Sequence, residues 1–274
     1  MPARISISMM PQKDFKLPLF TGQIARGLLL HVINRANPSA AQSLHEANVL
    51  KPYTIEPLYF RSKMKAPDGY LLDGSRPCIL TVKVLKDDLV EKTLAYLASN
   101  DKILIRDNVL LLNEIRFESK DYSKIMKDAK EIDRFVMDFM TPTYLSKKGS
   151  DYFSLLPEPR AVMMNLLRIW NAFAEDKVGK EDYRAYWRWL EKNIGINMYE
   201  LRTMPIRVQR MKAKTGFVGR VSYIIGDRRY SRLTDALLTF AEFSNVGGGR
   251  TAGMGVVRVS RETEGQKVKK DKKL

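Results

Sequence analysis

Ser231-Arg-Leu-Thr-Asp-Ala-Leu-Leu-Thr-Phe-Ala-Glu-Phe-Ser-Asn245-Val-Gly-Gly-Gly-Arg-Thr-Ala-Gly-Met-Gly255-Val-Val-Arg-Val259 reads as helix, glycine loop, strand. Ser231 is expected to cap the helix, and Leu233, Ala236, Leu237, Phe240 and Ala241 form its apolar stripe. Five of the nine residues from 247 to 255 are glycine. So many residues without a Cβ carry a large conformational-entropy cost, so something must need that backbone. In a chain of net charge +16, close approach to a polyanion is the leading expectation.

Working backwards, strands are expected at Thr203–Met211 and Phe217–Ile225, with Gly216 and Gly219 interrupting the second. Helices are expected at Pro159–Ala174 and Asp182–Asn193, preceded by a strand over Asp133–Phe139. This order is β-α-β-β-α-β with one added helix, the ferredoxin-like arrangement. The first half repeats it: a strand at Arg4–Met9, a helix at Pro18–Arg35, and a short helix from Asn37-Pro38-Ser39 through Leu44 and Ala47. Strands then follow at Tyr53–Met64 and Cys78–Leu85 around a turn at Asp68-Gly69, a helix at Lys86–Ser99, and a strand at Val109–Phe117. The fold class is therefore α+β, two tandem ferredoxin-like domains. Residues 1–120 form the first, 121–131 a charged linker, 132–262 the second, and 263–274 a basic tail.

Composition narrows the function. Lys and Arg number 47 against 31 Asp and Glu, which favours an acidic partner, nucleic acid ahead of membrane. No basic amphipathic helix with an exposed apolar face is evident, and no membrane role is expected. The N-terminal residues lack an apolar signal core, so a cytoplasmic location is expected. The single cysteine, Cys78, excludes an internal disulfide and reads as buried and inert. His31 and His45, with no cysteines near them, make a poor zinc set; no metal and no cofactor are expected. Asp87-Asp88 reads as the start of a helix.

Between Tyr199 and Thr234, Arg202, Arg207, Arg210, Lys212, Lys214, Arg220, Arg228, Arg229 and Arg232 face only Glu200 and Asp227. So one-sided a run beside the glycine loop is expected to follow a phosphate backbone, with Arg250 reaching a phosphate. Gly247-Gly248-Gly249-Arg250-Thr251-Ala252 formally fits a dinucleotide-binding pattern. It lies between a helix and a strand in the wrong order, which excludes that reading. Trp170, Trp187 and Trp189 have the spacing of core residues, while Tyr183, Tyr186 and Trp187 are an alternative partner surface.

Gly247, five residues, then Gly253-Met254-Gly255, between the last helix and the last strand, resembles the glycine-rich loop of the RAMP superfamily of CRISPR-associated proteins. The fuller pattern has one more glycine, where this chain has Asn245, a residue that also tolerates left-handed backbone. Phe139-Met-Thr-Pro-Thr-Tyr144 resembles the segment opening the second domain. The likeness spans essentially the whole chain and is specifically similar to the CRISPR repeat-processing endoribonucleases (Cas six) of archaea.

The resemblance implies metal-independent cleavage of CRISPR repeat RNA by the ribose 2′-OH. In Ser43-Leu44-His45-Glu46 it places the catalytic histidine at His45, with Lys51 completing the site. Leu30 stands where the family often has a tyrosine, and its neighbour His31 is a catalytic candidate that could supply the missing base, against the alternative of a histidine at the edge of a helix packing face. The RNA-binding set expected from the basic run and the glycine loop is Arg207, Arg210, Lys212, Lys214, Arg220, Arg228, Arg229, Gly247, Gly248, Gly249, Arg250, Gly253 and Gly255. The implied partner is CRISPR repeat RNA, the protein being a monomer or homodimer. The alternative is a catalytically inactive RNA-binding RAMP subunit of a CRISPR effector complex.

Overall fold

The structure, a computed structural model, describes residues 1–36, 38, 49–147, 149–206 and 214–262. β1 (Ala3–Pro11) alternates buried and half-buried residues, with Ile5, Ile7 and Met9 inward. It is the central strand of a five-stranded antiparallel sheet in the order β3-β6-β1-β8-β7. Its partners are β3 (Tyr53–Ile55), β6 (Cys78–Val84), β7 (Lys102–Ile105) and β8 (Asn108–Ser119). Helices α1 (Gly22–Ala36) and α2 (Asp87–Ala98) close its core through Leu28, Leu29, Val32, Leu89, Val90 and Leu97.

The second sheet repeats the plan in the order β12-β13-β9-β14. Its strands are β9 (Arg134–Thr143), β12 (Ile194–Ile206), β13 (Lys214–Ile225) and β14 (Val257–Glu262). Helices α4 (Pro159–Phe173), α5 (Lys180–Asn193) and α6 (Ser231–Ser244) pack on it. Ignoring the added β7, each sheet places its first and third strands centrally and its second and fourth outside. That is the ferredoxin-like order, made twice.

Several boundaries differ from expectation. Pro18 ends β2 (Phe15–Pro18) rather than entering α1. The expected Tyr53–Met64 strand stops at Ile55; β4 (Ser62–Ala66) and β5 (Gly69–Leu72) form a hairpin that joins β2 in a separate three-stranded sheet. β7 was not anticipated, because Arg106 supplies its tight turn at φ 53°, unusual outside glycine. β12 begins at Ile194, earlier than Thr203, and beyond Ile206 the expected strand lies outside the described residues. Gly219, at φ 128°, is a register shift within a continuous β13 rather than a break.

Residues 121–131, expected as an exposed linker, contain helix α3 (Tyr122–Asp128) with Tyr122 and Ile125 buried. Tyr122 meets Trp170 edge-on at 5.0 Å, and its hydroxyl donates to the Leu85 carbonyl at 3.1 Å. Ser231 starts α6 without capping it: its hydroxyl donates to the Arg228 carbonyl, and Tyr230 holds the cap position. The short helix expected over 37–47, and the tail 263–274, lie outside the described residues. Cys78 is fully buried, and burial pushes its thiol up to about 12, as an inert core residue requires. Among the described residues, no helix is long and apolar enough to cross a membrane, and no cluster of three His, Cys, Asp or Glu side chains is placed to hold a metal.

Candidate functional site

The glycine loop is wedged between the two sheets. Asn245 ends α6 at φ 54°. Its amide accepts from the Lys83 ammonium at 2.9 Å and donates to the carbonyls of Ile55 and Met254 at 3.0 and 3.1 Å. Lys83, fully buried in β6, also pairs with Glu56 at 2.9 Å. Burial pushes the Lys83 ammonium down to about 8, although Glu56 acts to raise it; Arg4 and Arg258 add to the lowering. Burial would raise the Glu56 carboxyl, but Lys83, with Arg258 and Arg4, holds it below its ordinary value.

The glycines are needed by the protein's own backbone. A Cβ on Gly255, at φ 72°, would lie 1.8 Å from the Val246 carbonyl oxygen. On the facing helix α1, a Cβ on Gly22 would lie 1.9 Å from the Ala252 carbonyl oxygen. Gly247 and Gly255 approach backbone atoms of the chain itself, whereas Gly248 approaches the Tyr144 ring and Gly249 the Met254 side chain. Gly247, Gly253 and Gly255 are buried, whereas Gly248, Gly249 and Thr251 stay partly open. Arg250 does not reach outward. It is 6% exposed and donates to the Ser244 carbonyl at 2.8 Å, and burial, with nearby Arg168, lowers its guanidinium to about 10. A single sequence shows an arginine in a loop but not which way it turns.

Of the catalytic candidates, His31 is exposed on α1. Leu30 is half-buried against the first core. Lys51 is half-buried just before β3, and His45 lies outside the described residues. Sequence reasoning passed over Arg26, one turn before Leu30, beside the buried Tyr53 hydroxyl. Burial raises the pKa of that hydroxyl, while the Arg26 charge and a hydrogen bond with Arg26 work against the rise. A lone arginine in Gly22-Gln-Ile-Ala-Arg26-Gly-Leu-Leu-Leu30 was the available signal.

The basic run is less one-sided than its sequence. Arg220 makes a bidentate pair with Asp138 at 2.7 and 3.0 Å, and Arg228 pairs with Asp133. Both acids lie at or before the start of the neighbouring β9 or within it, so counting charge along the run misses them. Arg220, Asp138, Met140, Glu200 and Arg202 line an open groove of about 460 Å³ on β9, β12 and β13. Arg229 is exposed. Lys214 donates to the Tyr144 hydroxyl at 3.1 Å, and Arg207, Arg210 and Lys212 lie outside the described residues. Trp170, Trp189 and Tyr186 are buried, so Tyr186 is no part of an exposed surface; Trp187 is 41% exposed under the Arg160 guanidinium.

Residues 137–257, glycine loop included, match the family model for CRISPR-associated endoribonuclease Cas6. The Cas6 endoribonuclease of Mycobacterium tuberculosis (strain H37Rv) is 26% identical over 139 residues, 50% of this chain and 42% of that protein. The chain therefore matches less than half of that relative's length. The Cas6 endoribonuclease of Streptococcus thermophilus is 22% identical over 200 residues, 71% of this chain and 80% of that protein. Among solved structures, a Cas6 product complex superimposes with a TM-score of 0.78 at 23% identity, covering 95% of this chain and 100% of that one. Thermus thermophilus Cas6 gives 0.73 at 22%, covering 95% and 98%. At such identities the superpositions speak for the shared tandem fold. The matched family model, which takes in the glycine loop, and these relatives make the second half of this chain similar to the CRISPR-associated Cas6 endoribonucleases.

Proposed function

We propose that the chain is an endoribonuclease that cuts CRISPR repeat RNA, one step in making guide RNA from its precursor. The observation that carries this reading is the Cas6 family match over 137–257. Residues 1–120 and 132–262 act in it as two ferredoxin-like domains. The reaction is a metal-independent transesterification. The 2′ oxygen bonds to the adjacent phosphorus as the bond to the 5′ oxygen breaks, leaving a 2′,3′-cyclic phosphate and a 5′-OH. One proton leaves the 2′-OH and one reaches the departing 5′ oxygen.

His45 carries one of these protons, since histidine exchanges protons near neutral pH. Lys51 stabilises charge on the pentavalent phosphorus. His31, exposed on α1, is a further candidate for the second proton. The basic side chains of β12–β13 and the open part of the glycine loop bind the RNA backbone.

A second reading, a binding subunit of an effector complex, is favoured by one observation: Leu30, at the family's tyrosine place, packs on the core and moves no proton. Cleavage of repeat RNA in EDTA decides between them. Wild type is expected to cut, to fail on RNA with a single 2′-deoxy at the cut site, and to lose at least a hundredfold in rate as His45→Ala, the order of one general acid or base. Tight binding of several repeats without cutting overturns the nuclease.

A further inference from the structure

A short hairpin, β10 (Leu145–Ser146) and β11 (Phe153–Ser154), leaves the second sheet just after β9. At its tip Tyr152 is 83% exposed, and Phe153 beside it is 44% exposed. Two large aromatic side chains exposed at consecutive positions are an unusual surface feature, and they mark a place where something apolar and flat is received.

The hairpin is fixed where it meets the rest of the molecule. Tyr144, 5% exposed, lies against Gly248: a Cβ there would fall 2.2 Å from the Tyr144 ring. The Gly248 amide donates to the Tyr144 carbonyl at 3.0 Å, and the rings of Tyr144 and Phe153 are 4.3 Å apart. A cation is built into the same cluster. The Lys214 ammonium lies 5.1 Å from the Tyr144 ring centre and 5.7 Å from that of Phe153. Among the described residues it forms no ion pair; its hydrogen bond is to the neutral Tyr144 hydroxyl at 3.1 Å. Residues 144–156 carry Lys147 and Lys148 against Asp151 alone.

Exposed rings beside a cation without a carboxylate partner, in a basic surrounding, fit a nucleotide of single-stranded RNA, whose base stacks while its phosphate is neutralised. We propose that Tyr152 and Phe153 form a ledge on which one unpaired base of the RNA stacks, with Lys214 pairing to a phosphate next to that base. This rests on the RNA-binding reading above and adds to it a base-contacting subsite.

The test uses the full chain and repeat RNAs carrying 2-aminopurine at one position at a time. In wild type, binding quenches one unpaired position strongly. Phe153→Leu and Tyr152→Leu keep apolar volume and remove the ring; the quench at that position disappears and binding weakens about tenfold, roughly 1.4 kcal/mol, within the range of one base stack. Lys214→Gln keeps the quench but lowers the slope of log K against log salt by about 0.7, one phosphate contact on a single strand. Circular dichroism and thermal melting of each variant show that it is folded. Tight binding with an unchanged quench profile and affinity in the Phe153→Leu, Tyr152→Leu double variant overturns the ledge and leaves RNA binding intact. Failure of wild type to bind any repeat RNA overturns the RNA-binding reading and the ledge with it.

Discussion

Asn245 and Lys83 show how single side chains join the two halves of this protein. One amide satisfies a buried ammonium from β6 and two carbonyls, one on each half. Asn245→Ala removes all three hydrogen bonds in a buried site, leaving Lys83 with Glu56 alone, and a loss of about 3 kcal/mol in denaturant unfolding is expected. Lys83 supplies a pH dependence. Its ammonium ordinarily titrates at 10.5 and is pushed to about 8 by burial. Between those values the unfolded chain holds a proton that the folded chain has released, so this group makes stability rise with pH across that window. Glu56 keeps Arg258 at 3.6 Å when Lys83 becomes neutral. The stability of wild type minus that of Lys83→Met is therefore expected to increase from pH 7.5 to 9.5. A decrease over that range would show that the ammonium is not held in a low-dielectric site.

At the scale of elements, the glycine loop lets the one-turn 3-10 segment Arg250–Ala252, between α6 and β14, approach α1 with backbone touching backbone. Gly255→Ala must keep a positive φ and bring a methyl within 1.8 Å of the Val246 carbonyl oxygen. A loss of about 3 kcal/mol is expected in thermal or chemical unfolding. An unchanged midpoint would mean that the loop is free to rearrange. The elements themselves were legible where periodicity was strong. β1 shows its alternation, and α4 and α6 their apolar stripes, because each packs one face on a core. The β4–β5 hairpin was not, since Ser62–Ala66 is largely exposed and has no apolar face to read. The charged segment around Lys120 hid helix α3 because only Tyr122 and Ile125 anchor it.

For the whole molecule, the question is whether two ferredoxin-like units unfold as one. Each half has its own large core among the described residues, yet Leu85 from the first half sits in the second core, Arg4 donates to the Glu242 carbonyl at 3.0 Å, and Gly22 abuts Ala252. The three tryptophans lie in α4 and α5, so their fluorescence follows the second core alone, whereas far-ultraviolet circular dichroism follows both. Coincident transitions are expected for wild type. Gly22→Val, which forces α1 away from the loop, is expected to separate them, fluorescence changing last. Non-coincident curves in wild type would show that the contacts between the halves do not couple them.

Spacing and residue type along the chain were enough for the core order of elements in each half, the positive backbone angle at Asn245, the burial of Cys78, and the loop and opening segment that resemble those of the Cas6 endoribonucleases. Each of these is local, set by spacing along the chain or by the conformational range of one residue type. Assembly of the sheets was needed to show what the glycines approach, that Arg250 turns inward, that Asp133 and Asp138 answer Arg228 and Arg220, and that Tyr144, Phe153 and Lys214 share one cluster. The paired charges among them are separated by as many as 95 residues in the chain, and no local pattern records a contact that exists only once the sheets are assembled.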